Sequence, residues 1–209
     1  MTTIVLATRN RGKIVEFRAA LENLGFTVRS LHDFPAFPDV VEDASTFREN
    51  ALKKARATFT FTGLPSLADD SGLEVDALGG LPGVQSHRFA GPQGDDTANN
   101  AKLLTLLQGL PPEKRTARFR AVLALVWGEG KELTVDGTCE GVILEKERGS
   151  GGFGYDPLFY LPERDLTMAE MDLQDKNAVS HRGKAIQRLS GLLTDLIKRG
   201  ELQHAHRCG

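Results

Sequence analysis

The chain has 209 residues, 40% hydrophobic, 26% charged and 7% aromatic, and its 26 Lys+Arg against 28 Asp+Glu leave a formal charge of −2. That length makes one larger domain or two intimate lobes, burying roughly 70% of the surface the unfolded form exposes, so no disulfide or metal staple is needed. The balanced charge excludes a strongly basic nucleic-acid coat and an acidic disordered tail, yet leaves room for a local anion pocket.

Thr3 to Ala7 is a short apolar run fit for a buried strand. The polar turn Thr8-Arg9-Asn10-Arg11-Gly12-Lys13 follows, and then Ile14, Phe17, Leu21 and Leu24 recur at helical spacing as far as Gly25, a fitting C-cap. Phe26 to Leu31 reads as a second strand, so the opening predicts an α/β class. A proline-punctuated loop, Phe34 to Pro38, leads to Glu42-Asp43 and to Ser45 as an N-cap. A helix is expected over 46–61, with Phe47, Ala51, Ala55 and Thr58 on one side.

Ser66-Leu67-Ala68 is expected to be a short strand ending in Asp69-Asp70-Ser71-Gly72. The Gly- and Pro-rich stretch from Gly79 to Gly94 is longer than a connection requires, and such loops are often functional. Asp95 caps a helix reaching about Leu107. Thr116 to Trp127 and Leu133 to Leu144 flank Gly128-Glu129-Gly130 as a hairpin. Gly149 to Gly154 is a second glycine-rich loop, Met168 to Gln174 a weak helix, and Ala185, Leu189, Leu192, Leu193, Leu196 and Ile197 an amphipathic last helix. These elements predict a mixed sheet flanked by helices, in two lobes around a groove.

Nothing in the chain predicts export or membrane insertion. The longest apolar run, Ala121 to Trp127, falls far short of the roughly 20 residues a span needs. Ile4 to Ala7 is too short for a signal sequence. Cys139 and Cys208 make no CxxC pair, which suits a reduced cytoplasmic protein. His204, His206 and Cys208 sit in what reads as a frayed tail over 201–209 behind a single domain over 1–200, with a His/Cys metal site as the alternative.

Four loops carry chemistry. Thr8, Arg9, Asn10, Arg11, Gly12 and Lys13 join a strand to a helix and offer backbone N–H groups, a flexible Gly and a Lys, the parts of a phosphate site. The GxxxxGK[ST] and GxGxxG patterns are both absent, and a plain polar turn fits too. Asp69 and Asp70, adjacent in an extended segment, point to opposite sides and so do different jobs, one holding a cation or water while the other pairs locally. Such oxygen ligands suit Mg²⁺, although an Asx turn would use the same residues. Gly151 to Pro157 sets Phe153 and Tyr155 among glycines beside Asp156, which suits a stacked flat ring or a hairpin end with buried aromatics. Lys176 to Lys184 places cations and His181 at a helix start, against the macrodipole, which calls for an anionic or carbonyl partner unless it is merely a charged surface turn. Together the four describe a nucleoside triphosphate site.

These residues carry a resemblance. Leu6 to Lys13, Phe47-Arg48-Glu49-Asn50-Ala51 with Lys54, Ala68 to Leu73 through Gly79 to Val84, Gly151 to Pro157, and Ser180-His181-Arg182-Gly183 occur in order over roughly 4–195. The chain resembles the inosine triphosphate pyrophosphatase family, which hydrolyses XTP, ITP and dITP to the monophosphate and pyrophosphate. The resemblance implies an elongated mixed sheet with two α/β lobes around a central cleft, a homodimer, and a purine nucleoside triphosphate as the small-molecule partner. It implies neither nucleic-acid nor membrane binding. It further implies that Asp70 is the general base and a Mg²⁺ ligand with Glu42 as partner ligand, and that Thr8 to Lys13 and Lys54 bind the triphosphate. Ser71, Phe153, Gly154, Tyr155, Asp156, Lys176, His181 and Arg182 would address the substrate, mainly its purine. Arg9 stands where many members carry Gly and would offer a further phosphate contact. A Maf-like pyrophosphatase acting on modified pyrimidine nucleotides, and a nucleotide-binding module without turnover, are the competing expectations.

Overall fold

Apolar alternation and helical periodicity resolve into seven strands and five α-helices in the computed structural model, which describes residues 2–202. The tail residues His204, His206 and Cys208 lie outside the described residues. In chain order the strands are β1 (Thr3–Leu6), β2 (Thr27–Ser30), β3 (Ser66–Val75), β4 (Thr116–Gly128), β5 (Lys131–Ile143), β6 (Phe159–Leu161) and β7 (Leu166–Thr167). The helices are α1 (Arg11–Asn23), α2 (Phe47–Thr62), α3 (Asp96–Leu106), α4 (Leu173–Val179) and α5 (His181–Lys198). The strands form one mixed sheet in the order β2-β1-β3-β4-β5-β6-β7. β1 pairs in parallel with β2, Thr3 opposite Thr27, and with β3, Val5 opposite Ser66. At the other end β6 runs antiparallel to both β5 and β7.

The chain divides into two compact units. Among the described residues the first comprises 2–70, 122–136 and 184–202. Its core takes Ile4, Val5 and Leu6 from β1, Phe17 and Leu21 from α1, Ala51 and Ala55 from α2, and Leu189 and Leu193 from α5, each at most 1% exposed. The second comprises 71–121 and 137–183 and has its own core, with Leu73, Leu103, Phe119, Ile143, Tyr155, Leu158, Phe159 and Met168 among its members.

Several boundaries differ from expectation for identifiable reasons. Thr46, not Ser45, caps α2, accepting from the backbone N–H of Glu49 and donating to its carboxylate, a reciprocal cap. β3 does not stop at Asp69 but runs on to Val75, because almost every residue from Ser66 onward is buried. α4 starts at Leu173 rather than Met168, where Asp172 accepts from Asp175 N, while Met168 and Ala169 are buried ahead of it. β6 and β7, at three and two residues, went unpredicted.

Candidate active site

In the first unit, β1 delivers the chain to a turn closed by its own side chains. Thr8 Oγ1 accepts from Asn10 N at 3.1 Å, and Asn10 Oδ1 accepts from Lys13 N at 3.0 Å, so Asn10 caps α1. The carboxamide oxygen is thereby committed to the helix, leaving the NH₂ as the part of Asn10 that suits a phosphate. Arg11 and Gly12 open α1, at the end whose N–H groups and dipole favour an anion. Arg9 donates to Asp39 Oδ1 and to the Phe37 carbonyl, both at 2.9 Å, and so ties down the loop leading to Glu42.

Lys13 reaches from α1 to β3, where its Nζ lies 2.6 Å from Oδ2 of the buried Asp69. The neighbouring carboxylate, Asp70, points the other way along the strand, toward α2. There Lys54 Nζ donates to Glu42 Oε2 at 2.7 Å, to Asp70 Oδ1 at 2.9 Å and to the Asp69 carbonyl at 2.9 Å. An ammonium has three protons, and here three acceptors take them. Lys54, expected to bind triphosphate, is therefore placed as the joint between two carboxylates. Asn50, one turn earlier, accepts from Ala44 N at 3.0 Å and holds the segment that carries Glu42.

The two carboxyls are tuned in opposite directions. Burial pushes Asp70 up to about 6, against the pull of Lys54 and Lys13. Burial also acts on Glu42, but the Lys54 charge and hydrogen bond outweigh it and hold Glu42 below its ordinary value. Lys54 loses by burial and gains more from Asp70 and Glu42, so its net shift is upward and it stays charged. Asp70 Oδ2 is buried without a hydrogen-bond partner. A buried carboxylate oxygen with no donor suits a cation, and Mg²⁺ is usually held by one or two carboxylates plus substrate phosphates. Asp70 and Glu42 meet that description, although no group of three or more His, Cys, Asp or Glu gathers among the described residues.

The second unit holds the remaining predicted residues. Phe153 is half-buried, with Lys176 Nζ 4.7 Å and Arg182 Cζ 5.6 Å from its ring centroid. Asp156 Oδ2 accepts from Phe153 N at 2.8 Å and from Lys176 Nζ at 2.7 Å, so this carboxylate oxygen organises its own loop rather than a base edge. Arg182, 2% exposed, donates to Ser71 Oγ at 2.9 Å. His181 is stacked on Phe119, rings 4.7 Å apart and 18° from parallel. Tyr155 departs from expectation. Its ring is a core member and its hydroxyl donates to the Ser86 carbonyl at 2.8 Å, so Phe153 is the ring this loop leaves for stacking.

The α4–α5 corner that presents Lys176, His181 and Arg182 depends on close backbone approach. Ser180 Oγ accepts from Gly183 N at 3.0 Å, and any Cβ on Gly183 would collide with the Asn177 carbonyl. Asp69, expected to hold a cation or to pair locally, pairs with Lys13, whereas two residues that bind Gly154, Asp96 and Asn100, are not among those expected. For Asp69 the strand alternation was a sufficient signal. For the other two the sequence offers none, because their partner lies more than fifty residues away.

Known proteins share this arrangement of elements. The family model described as the Ham1 family matches residues 4–192. A dITP/XTP pyrophosphatase of Desulforamulus reducens is 56% identical over 92% of this chain and 96% of its own length. One of Geobacter sulfurreducens is 58% identical over 89% and 94%. Among solved structures, a HAM1 protein from Coxiella burnetii superposes with a TM-score of 0.84 at 44% identity, covering 93% of this chain and all of the other. With the family model spanning most of the sequence and relatives above half identity over nearly the whole chain, this protein belongs to the Ham1 family.

Proposed function

We propose that this protein hydrolyses dITP, ITP and XTP to the nucleoside monophosphate and pyrophosphate. The observation that carries the reading is the Lys54 joint: one buried ammonium holding Asp70 and Glu42, with Asp70 Oδ2 left without a donor. The activity named for its Ham1 relatives supports it.

The phosphates engage Lys13, the Asn10 NH₂ and the N-terminus of α1, with Asp69 fixing Lys13 in place. Mg²⁺, held by Asp70 and Glu42, would neutralise charge on the phosphate oxygens and so lower the barrier to displacement. Water oxygen attacks the α-phosphorus, the bond from that phosphorus to the bridging oxygen breaks, and pyrophosphate leaves with the electron pair. The water's proton passes to Asp70. Without metal, burial holds Asp70 at about 6, so the carboxylate is ionised at neutral pH and able to take a proton. Lys54 keeps both carboxylates oriented throughout.

The purine packs on Phe153, and Arg182 addresses its 6-oxo group. A guanidinium has only donors, so it suits an acceptor such as the 6-oxo oxygen and opposes the 6-amino group of adenine. A buried donor left unsatisfied costs about 1–3 kcal/mol, and a site built around such a bond rejects the wrong partner strongly. The reading carries a cytoplasmic homodimer with it; no helix among the described residues is long and apolar enough to cross a membrane. The test is pyrophosphate release from dITP, ITP and XTP against ATP, with Asp70→Asn as the control. Release from the 6-oxo nucleotides that the substitution abolishes supports the reading, and orthophosphate as the first product refutes it.

A further inference from the structure

Gly154 follows the stacking ring in sequence, and both hydrogen-bonding groups of its backbone are held by one helix. Its N–H donates to Asp96 Oδ2 at 2.8 Å, and its carbonyl accepts from Asn100 Nδ2 at 3.2 Å. Asp96 and Asn100 stand four apart on α3, one turn along the same face. Asp96 lies in the first turn of α3, where the helix dipole favours its charge, and a carboxylate makes a stronger acceptor for an N–H than a neutral group does. Asn100 is 4% exposed, and the same Nδ2 also donates to Glu147 Oε1 at 2.9 Å.

Gly154 needs to be held. Its φ of +62° lies in the left-handed region, where glycine is free to move through many alternatives. On the other side of Phe153 the loop is fixed differently, by Phe153 N on Asp156 Oδ2, which Lys176 also holds. Three polar groups of the main chain, the N–H groups of 153 and 154 and the carbonyl of 154, are therefore bonded to side chains, and the Phe153 carbonyl between them accepts from Asp156 N at 3.3 Å. The ring of Phe153 has no such anchor of its own beyond the cations near its face. Its direction is set by the peptide groups that flank it.

We propose that Asp96 and Asn100 are positioning residues for base recognition: by clamping Gly154 they fix the plane of Phe153 against which the purine stacks. The inference rests on the reading of Phe153 as the base platform, and it extends that site onto α3. Neither residue touches the nucleotide; both act through the main chain of Gly154. Substrate affinity should therefore depend on them more than turnover does, because the groups around Asp70 are untouched.

The test compares steady-state kinetics on dITP for Asp96→Ala, Asp96→Asn, Asn100→Asp, Phe153→Ala and the Asp96→Ala/Phe153→Ala double variant, each checked by thermal melting. Asp96→Ala should raise KM roughly 3–10-fold with kcat within about twofold, the effect of one lost hydrogen bond. Asp96→Asn keeps an oxygen acceptor and should restore KM. Asn100→Asp keeps the shape but loses the donor to both Gly154 and Glu147 and sets a carboxylate beside that of Glu147, so it should raise KM at least as much as Asp96→Ala. The double variant should be no worse than Phe153→Ala alone, since the clamp has nothing left to position. An unchanged KM in Asp96→Ala while Phe153→Ala raises it overturns the clamp and spares the platform, as does full additivity in the double variant. An unchanged KM in Phe153→Ala overturns the platform reading and the clamp with it. Should Asn100→Asp fail to fold, the surface variant Asp96→Ala decides alone.

Discussion

Lys54 Nζ lies 2.9 Å from Oδ1 of Asp70 and 2.7 Å from Oε2 of Glu42, so a single buried ammonium sets the spacing of the two carboxylates assigned to the metal and the proton. Removing one partner of a buried ion pair is far worse than never having the pair, by roughly 3–5 kcal/mol, because the charge left behind stays buried. Lys54→Met should therefore lower kcat on dITP at least about 100-fold and lower the melting temperature as well. A folded Lys54→Met protein with near-native turnover would show that the joint is not needed.

Asp69 gives a second, separable expectation. Its Oδ2 sits 2.6 Å from Lys13 Nζ, and Asp69→Asn replaces that charge with a neutral group of the same shape. Lys13 should then be less well oriented toward phosphate, and KM for dITP should rise roughly 3–10-fold with a smaller change in kcat. Steady-state kinetics check this, and an unaltered KM would confine Lys13 to an internal ion pair.

Asp70 predicts how stability depends on pH when metal is chelated. Its pKa in the folded state is raised from 3.8 to about 6, so the folded protein binds this proton more tightly than the unfolded chain. The group is neutral in both states well below pH 4 and disfavours folding increasingly as pH rises toward 6. Above that the penalty is constant. Glu42 has the opposite sign: its lowered pKa contributes stability above about pH 4.5 that is lost as pH falls. Asp70→Asn removes the first effect, while Glu42, which Asp70 also helps to lower, keeps the Lys54 charge that is its main stabilising partner. Its stability relative to the wild type should therefore grow between pH 4 and 6 by about 1–3 kcal/mol and then level off. Chemical denaturation at a series of pH values in EDTA measures it, and a difference that stays flat across pH 4–7 would contradict the assignment.

Gly183 should tolerate no side chain. A Cβ there would strike the Asn177 carbonyl, which is main chain and cannot swing away. Gly183→Ala should destabilise the protein by about 1–3 kcal/mol, the usual cost of overpacking. It should also raise KM for dITP, because the same corner presents His181 and Arg182. Thermal melting with kinetics on the surviving folded fraction tests both halves.

The parts of this molecule that were legible in its sequence are those governed by local rules. The opening strand, turn and helix, the Asp95 cap and the β4–β5 hairpin follow from periodicity and turn residues alone. The opposed directions of Asp69 and Asp70 follow from strand alternation, even though two aspartates and a Ser-Gly made β3 look finished there. Burial with Lys13 and Lys54 as partners overrides that local preference. What was hidden depends on distant partners. Lys54 is expected to bind triphosphate, and that Glu42, on an irregular segment before α2, shares it is invisible in the sequence. Tyr155 and Phe153 look equivalent in the Gly-rich loop, and only the packing of the second core separates the buried ring from the available one. β6 and β7 are too short to show a period.

The proposed function turns on the attack of water, directed by Asp70, on the α-phosphorus of a 6-oxo purine nucleoside triphosphate. Its most direct test is hydrolysis of dITP in ¹⁸O-labelled water, with the products separated and weighed. Pyrophosphate should be the first product, with the label in the nucleoside monophosphate, slow turnover of ATP, and loss of the reaction in Asp70→Asn. Label in the pyrophosphate, orthophosphate as the first product, or an undiminished rate in Asp70→Asn would contradict it.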